Sequence, residues 1–130
     1  MQIKTGSDHS CRRKIGNRGE DAVCGFLVRH GYRILKRNFT VRGGEIDIIA
    51  EKDDIIAFVE VKTREANSLV SAEEAVTYAK QRRIIKTAEA YLYGLAEPRS
   101  CRFDVAAVEM DKGRITKLRY YVNAFDASRK

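Results

Sequence analysis

The sequence predicts an α/β sandwich, a mixed β-sheet with helices packed against it, its elements in the order α-β-β-β-α-β-β. Three observations support this. Residues 12–30 and 77–95 repeat apolar side chains at helical spacing. The intervening and following segments are short runs of Ile, Val, Phe and Tyr bounded by Gly, Asp and Pro. The chain has 130 residues, 44% hydrophobic and 33% charged, which suits a single soluble domain with a real core.

Residues 1–11 read as a polar tail, residues 12–125 as the domain and residues 126–130 as a second tail. In the first helix, from about Arg12 to His30, Ile15, Gly19, Ala22, Val23, Phe26 and Leu27 form the buried stripe, and Gly31 is the stop. Glu20 borders that stripe, so it is either an exposed glutamate or one directed at the sheet. Tyr32 to Phe39 is the first strand, and Gly43-Gly44 turns the chain into a hairpin. Ser71-x-x-Glu74 is a candidate capping box, and Thr77 is an equal candidate for the start of the second helix. Ile84, Ile85, Ala88, Tyr91, Leu92 and Leu95 give that helix its apolar stripe, ending near Gly94. After Pro98, Phe103 to Val108 is a strand, Asp111-Lys112-Gly113 a turn and Ile115 to Val122 the last strand, while Asn123-Ala124-Phe125 and the basic end read as a short tail.

The hairpin from Gly43 to Arg64 organises the rest. With Asp53-Asp54 as a two-residue turn, Lys52 stands opposite Ile55, Glu51 opposite Ile56, Asp47 opposite Glu60 and Glu45 opposite Lys62. Alternation then collects Ile46, Ile48, Ala50, Ala57, Val59 and Val61 on one apolar face. The other face carries Glu45, Asp47, Ile49, Phe58, Glu60 and Lys62. Facing carboxylates destabilise a sheet, so Asp47 and Glu60 require a shared proton, a nearby lysine or a bound cation. Mg2+ favours one or two carboxylates with water and phosphate oxygens. Lys62, two residues past Glu60 on the same face, could reach an attacking water or a phosphate oxygen. An Asp on one strand with Glu-x-Lys on the next is coherent with metal-assisted phosphodiester hydrolysis. A solvated charged strand face is the simpler alternative, but these strands are otherwise almost wholly apolar.

Charge distribution points the same way. The net charge is +7. Residues 1–42 hold ten Lys or Arg against three acids, whereas residues 43–65 hold three against seven. An acidic centre in a basic frame suits a phosphate-rich ligand. Candidate phosphate contacts are Arg12, Arg13, Lys14 and Arg18 near the first helix, Arg42 before the hairpin, Arg64 after it, and Lys80, Arg82, Arg83 and Lys86 on the second helix. Gln81 is a candidate to assist at the site. Cys11, Cys24 and Cys101 have no Cys-x-x-Cys spacing and read as reduced thiols, while His9 and His30 read as structural or exposed. No apolar run reaches the ~20 residues of a membrane helix, and no secretory signal is evident in Met1–Lys14. A cytoplasmic protein without a membrane partner is expected.

Gly-Gly-Glu-Ile-Asp-Ile-Ile-Ala followed by Phe-Val-Glu-Val-Lys-Thr-Arg resembles the PD-(D/E)-x-K nuclease superfamily, which includes type II restriction enzymes and archaeal Holliday-junction resolvases. More closely, the chain resembles the small bacterial YraN family of endonuclease-like proteins, from Gly16-Asn17-Arg18-Gly19-Glu20 to Asn123-Ala124-Phe125. The resemblance implies a restriction-endonuclease-like three-layer sandwich. By similarity Asp47 and Glu60 would be ligands of Mg2+ or Mn2+ and Lys62 the catalytic lysine; in a nuclease the Val61 carbonyl could add a third ligand. Glu20 would match the acidic residue that related resolvases carry on the first helix, binding metal directly or through water. The superfamily's Pro before the Asp is Ile46 here, and the Pro of the close family's Val-Thr-Pro is Tyr78.

Three functions fit this pattern: a Mg2+- or Mn2+-dependent nuclease acting on DNA, a nucleic-acid-binding module on a nuclease scaffold, and an interaction protein in which Asp47, Glu60 and Lys62 neutralise one another. Metal titration separates the last from the other two, and a cleavage assay separates the first from the second.

Overall fold

The computed structural model describes residues 17–66 and 76–127. In chain order these form helix α1 (Arg18–Arg29), strands β1 (Arg33–Val41), β2 (Gly44–Lys52) and β3 (Ile55–Glu65), helix α2 (Tyr78–Tyr93), and strands β4 (Ser100–Asp111) and β5 (Arg114–Phe125). The Arg12–Lys14 cluster, Ile15, Cys11, His9, the Ser71–Glu74 capping box and both expected tails fall wholly or partly outside the described residues.

Gly31 ends α1 because it takes φ +90°. This lets its amide reach the Val28 carbonyl and the Tyr32 amide reach the Leu27 carbonyl, a Schellman stop. Thr77 caps α2 by accepting the Lys80 amide at 3.1 Å. Asp53 and Asp54 both adopt positive φ, as a tight hairpin turn with right-handed strand twist demands. The preceding turn is Arg42-Gly43 rather than Gly43-Gly44, because Gly44 is already paired with Val41. Gly44 matters for packing instead. A β-carbon there would collide with Thr87 Oγ1 and crowd the Arg83 carbonyl at 3.3 Å. Its absence lets α2 approach β2 closely.

The sheet order is β1-β2-β3-β4-β5. All neighbours are antiparallel except β3 and β4, which run parallel and are joined through α2. One core lies under α2, where Ile84, Ile85 and Ala88 pack on Ile49, Phe58, Phe103 and Phe125. A second lies under α1, where Val23 and Leu27 pack on Ile48, Ala50, Ala57 and Val59. The fold is therefore the expected three-layer sandwich. Burying a large apolar side chain contributes ~1.5–3 kcal/mol, so each helix is held chiefly by this stripe. Among the described residues no helix is long and apolar enough to cross a membrane.

Two further expectations are corrected. Ile46 belongs to the α2 core, not to the face of Ile48 and Ala50. The alternation breaks at Asp47, where the neighbouring β1 residue, Asn38, adopts φ 55° between the pairs Arg37–Ile48 and Phe39–Ile46. Asn123-Ala124-Phe125 is strand rather than tail: Phe125 is buried and stacks on Phe103 with ring centroids 5.1 Å apart.

Candidate active site

The β2–β3 ladder follows the expected register from Lys52–Ile55 to Ile48–Val59 and ends there. The expected ladder pair of Asp47 with Glu60 does not form. Instead, Asp47 turns its side chain into the fork between the strands, where Oδ2 accepts the Val61 amide at 2.8 Å. A strand residue sends its amide and carbonyl to the same edge, so the Val61 carbonyl faces the same gap. Glu60 continues on β3 beside Val105 of β4 and points to the α2 side with Phe58 and Lys62.

Glu60 is only 5% exposed, and its charge is met by lysines from two elements. Lys80 Nζ on the first turn of α2 lies 2.6 Å from Glu60 Oε2, and Lys62 Nζ lies 3.8 Å away. Burial works against the Lys80 charge, but the Glu60 carboxylate overrides it and raises the Lys80 pKa. Lys62 goes the other way, lowered by burial and by the neighbouring Lys80 ammonium. Among the described residues Asp47 forms no direct ion pair of this kind, although the charges of Lys62 and Lys80 reach it. Burial, then the like charge of Glu60, raises its pKa from the ordinary 3.8 to about 7, with smaller pushes from Glu20 and Glu45.

Glu20 approaches from α1, placed by the close contact of Gly19 with Thr63 of β3, where a β-carbon would collide with the Thr63 hydroxyl. Its Oε1 accepts from Arg37 at 3.4 Å and Asn38 at 3.3 Å. Burial raises its pKa against the opposing pull of Arg37. Among the described residues no group of three or more His, Cys, Asp or Glu side chains is arranged to hold a metal ion. The Asp47 and Glu60 carboxylates lie near enough for their charges to interact, and the Val61 carbonyl opens on the gap that Asp47 enters. That set fits a small divalent cation completing its shell with water.

The expected phosphate contacts divide. Arg82, Arg83 and Lys86 are exposed along α2, and Arg42 is exposed in the turn beside it. Arg64 follows Lys62 by two residues on the same side of β3 and is half-buried. Arg18 donates to the Gly113 carbonyl at 2.7 Å, tying α1 to the β4–β5 turn. Lys80 faces Glu60 rather than joining the outer ridge. Gln81 donates to the Val76 carbonyl at 3.2 Å and lines a cleft of about 370 Å³ with Val105, Tyr121 and Phe125.

Sequence reading missed a buried polar centre. Asp104 is fully buried in β4, where Oδ1 accepts from Arg102 Nε at 3.0 Å and from the Asn123 amide at 2.8 Å. Tyr120 donates its hydroxyl to Oδ2 at 2.5 Å, and Arg102 also donates to the Tyr32 hydroxyl. The signal available was an Arg-x-Asp pair, Arg102 and Asp104, inside an apolar strand. Cys24 and Cys101 are free and half-buried, and burial raises both thiol pKa values. His30 is exposed, packs its ring at a tilt against Phe26 and bonds the Phe26 carbonyl, as expected of a structural or exposed residue.

A three-layer α/β sandwich with Asp47 at a strand fork and Glu60-x-Lys62 on the next strand defines an endonuclease-like protein of the PD-(D/E)-x-K class. Residues 19–108 match the model described as uncharacterised protein family UPF0102, and the chain belongs to that family, which is the YraN family. A UPF0102 protein of Symbiobacterium thermophilum is 47% identical over 116 residues, covering 88% of this chain and 98% of that one. One from Myxococcus xanthus is 41% identical over 117 residues, covering 89% and 92%. One from Clostridium perfringens is 53% identical over 81 residues, covering 62% and 66%.

Proposed function

We propose that this protein is a nuclease of the cytoplasm that uses Mg2+ or Mn2+ to hydrolyse phosphodiester bonds in DNA, with a preference for particular DNA structures. The observation that carries the reading is the fork itself: Asp47 bonds the amide of Val61, the residue next to Glu60, and the Glu60 charge adds to burial in raising the proton affinity of Asp47. Such crowding is costly unless a cation relieves it. Asp47, Glu60 and the Val61 carbonyl would hold that cation, with Glu20 acting through water. When bound, the cation lowers the pKa of an attacking water and neutralises developing phosphate charge.

The chain's own residues supply the rest. Arg42, Arg82, Arg83 and Lys86 hold the phosphate backbone without reading sequence. Lys62 stands at the mouth of the fork, its ammonium positioned to stabilise charge on the phosphate as the bond breaks. The lowered pKa of Lys62 also suits proton exchange with the attacking water.

The test is cleavage of branched, single-stranded and duplex DNA with Mn2+, using wild type and Asp47→Asn from parallel preparations. Metal-dependent cutting by wild type, lost in Asp47→Asn, is expected. Cutting that persists in the variant, or that never appears with any substrate although DNA binds, removes the catalytic reading. The second outcome leaves a nucleic-acid-binding module on a nuclease scaffold, a reading favoured by the Lys80–Glu60 ion pair, which already neutralises one carboxylate.

A further inference from the structure

The two lysines beside Glu60 are not equivalent. Lys80 Nζ lies 2.6 Å from Glu60 Oε2, in direct contact, whereas Lys62 Nζ lies 3.8 Å from the same oxygen. The two come from different elements. Lys62 is fixed on β3, in the middle of the sheet. Lys80 is delivered by the first turn of α2, where the Thr77 cap holds its backbone amide. The Lys80 side chain is about one-third exposed, so its four-carbon stem has a route to solvent. The Glu60 side chain is 6% exposed and has no such freedom.

We propose that Lys80 is an internal counter-ion that competes with the divalent cation for Glu60, holding the carboxylate until the cation displaces it. The inference rests on reading Asp47 and Glu60 as the cation's ligands. An ammonium 2.6 Å from Oε2 occupies the approach that a metal ion would take to that oxygen. Two positive centres a few ångströms apart repel strongly in a partly buried site. Cation entry therefore moves Lys80 outward, while Lys62 can stay. Once displaced, the Lys80 ammonium stands beside the cation, where a phosphate oxygen can receive it. By linkage, a phosphate that takes up this ammonium tightens cation binding, and bound cation tightens phosphate binding. The device explains why a helix whose other cations face solvent turns one of them inward. The alternative is a plain structural anchor of α2 to β3, which predicts lost stability without a change in cation affinity.

The experiment measures Mn2+ binding to the full chain without nucleic acid, by the paramagnetic resonance signal of free Mn2+. It compares wild type, Lys80→Ala, Lys80→Met (which keeps the apolar stem) and Lys117→Ala, an equal charge change on the exposed face of β5. Both Lys80 variants are expected to bind Mn2+ about tenfold more tightly, the factor carried by ~1.4 kcal/mol of lost competition. Lys117→Ala is expected to stay within about twofold of wild type, because a distant exposed charge is screened. If wild type binds Mn2+ and neither Lys80 variant binds it more tightly, the counter-ion proposal falls while the cation site stands. Equal tightening in Lys117→Ala also overturns it, since net charge would then suffice. If neither wild type nor Lys80→Met binds Mn2+, the cation site and this proposal fall together. If both Lys80 variants fail to fold, Lys80 is an anchor and the proposal is overturned.

Discussion

Replacing Asp47 by Asn should change how stability depends on pH, with no metal or nucleic acid present. In the folded state burial and the Glu60 charge raise the Asp47 pKa from 3.8 to about 7. Between those values the folded protein binds more protons at this position than the unfolded chain does. Stability contributed by the neutral carboxyl is therefore present at low pH and lost as pH rises toward 7. Each tenfold change in proton affinity is worth ~1.4 kcal/mol, so the ceiling is about 4 kcal/mol. Asp47 is only half-buried, and the Lys62 and Lys80 ammonium groups lie close to Glu60, so roughly 1–2 kcal/mol is the expected size. Asn is nearly isosteric, and its carbonyl can still accept the Val61 amide that closes the fork. Melting temperatures of both proteins, measured with chelator from pH 4.5 to 8, give the comparison. The difference, Asn variant minus wild type, should grow by roughly 4–8 °C across that range, at a few degrees per kcal/mol for a domain of this size. A flat difference would show that Asp47 ionises without penalty, and the like-charge account of the fork would be wrong.

Three further outcomes follow from the same geometry. Lys62→Ala should cut any Mn2+-dependent cleavage by about a hundredfold or more, yet leave the melting temperature nearly unchanged, because its 3.8 Å contact with Glu60 is looser than that of Lys80; equal cutting by the variant would exclude Lys62 from the chemistry. The triple change of Arg82, Arg83 and Lys86 to Ala should weaken DNA binding uniformly across sequences and flatten its salt dependence by about three phosphate contacts; an unchanged salt slope in a binding titration would place the interface elsewhere. Asp104→Ala should destabilise the fold by about 3–5 kcal/mol in chemical denaturation, since it strands the Arg102 charge, the Tyr120 hydroxyl and the Asn123 amide together; a loss below about 1 kcal/mol would show that these groups reach water.

The elements and most of the hairpin are legible in the chain without its fold. Period-3.6 and period-2 apolar patterns are local, and so are the stops at Gly31 and Asp53-Asp54 and the Thr77 cap. The register from Lys52–Ile55 to Ile48–Val59 followed from alternation, because a one-residue slip would bury charge. What happens where that ladder ends is settled by packing. Whether Asp47 faces Glu60 across a sheet or bonds the Val61 amide in a fork depends on β1, whose Asn38 takes a left-handed conformation opposite the break. Lys80 reads as one cation in a basic run, and only the packing of α2 on β2, permitted by Gly44 beneath Thr87, brings it to Glu60. Asp104 is likewise a single acid in a strand until Tyr32, Tyr120 and Asn123, each distant in sequence, gather around its Arg102 pair. Local periodicity fixes which face a residue prefers, but the partner of a buried charge comes from another element, and its identity is set by how the layers dock.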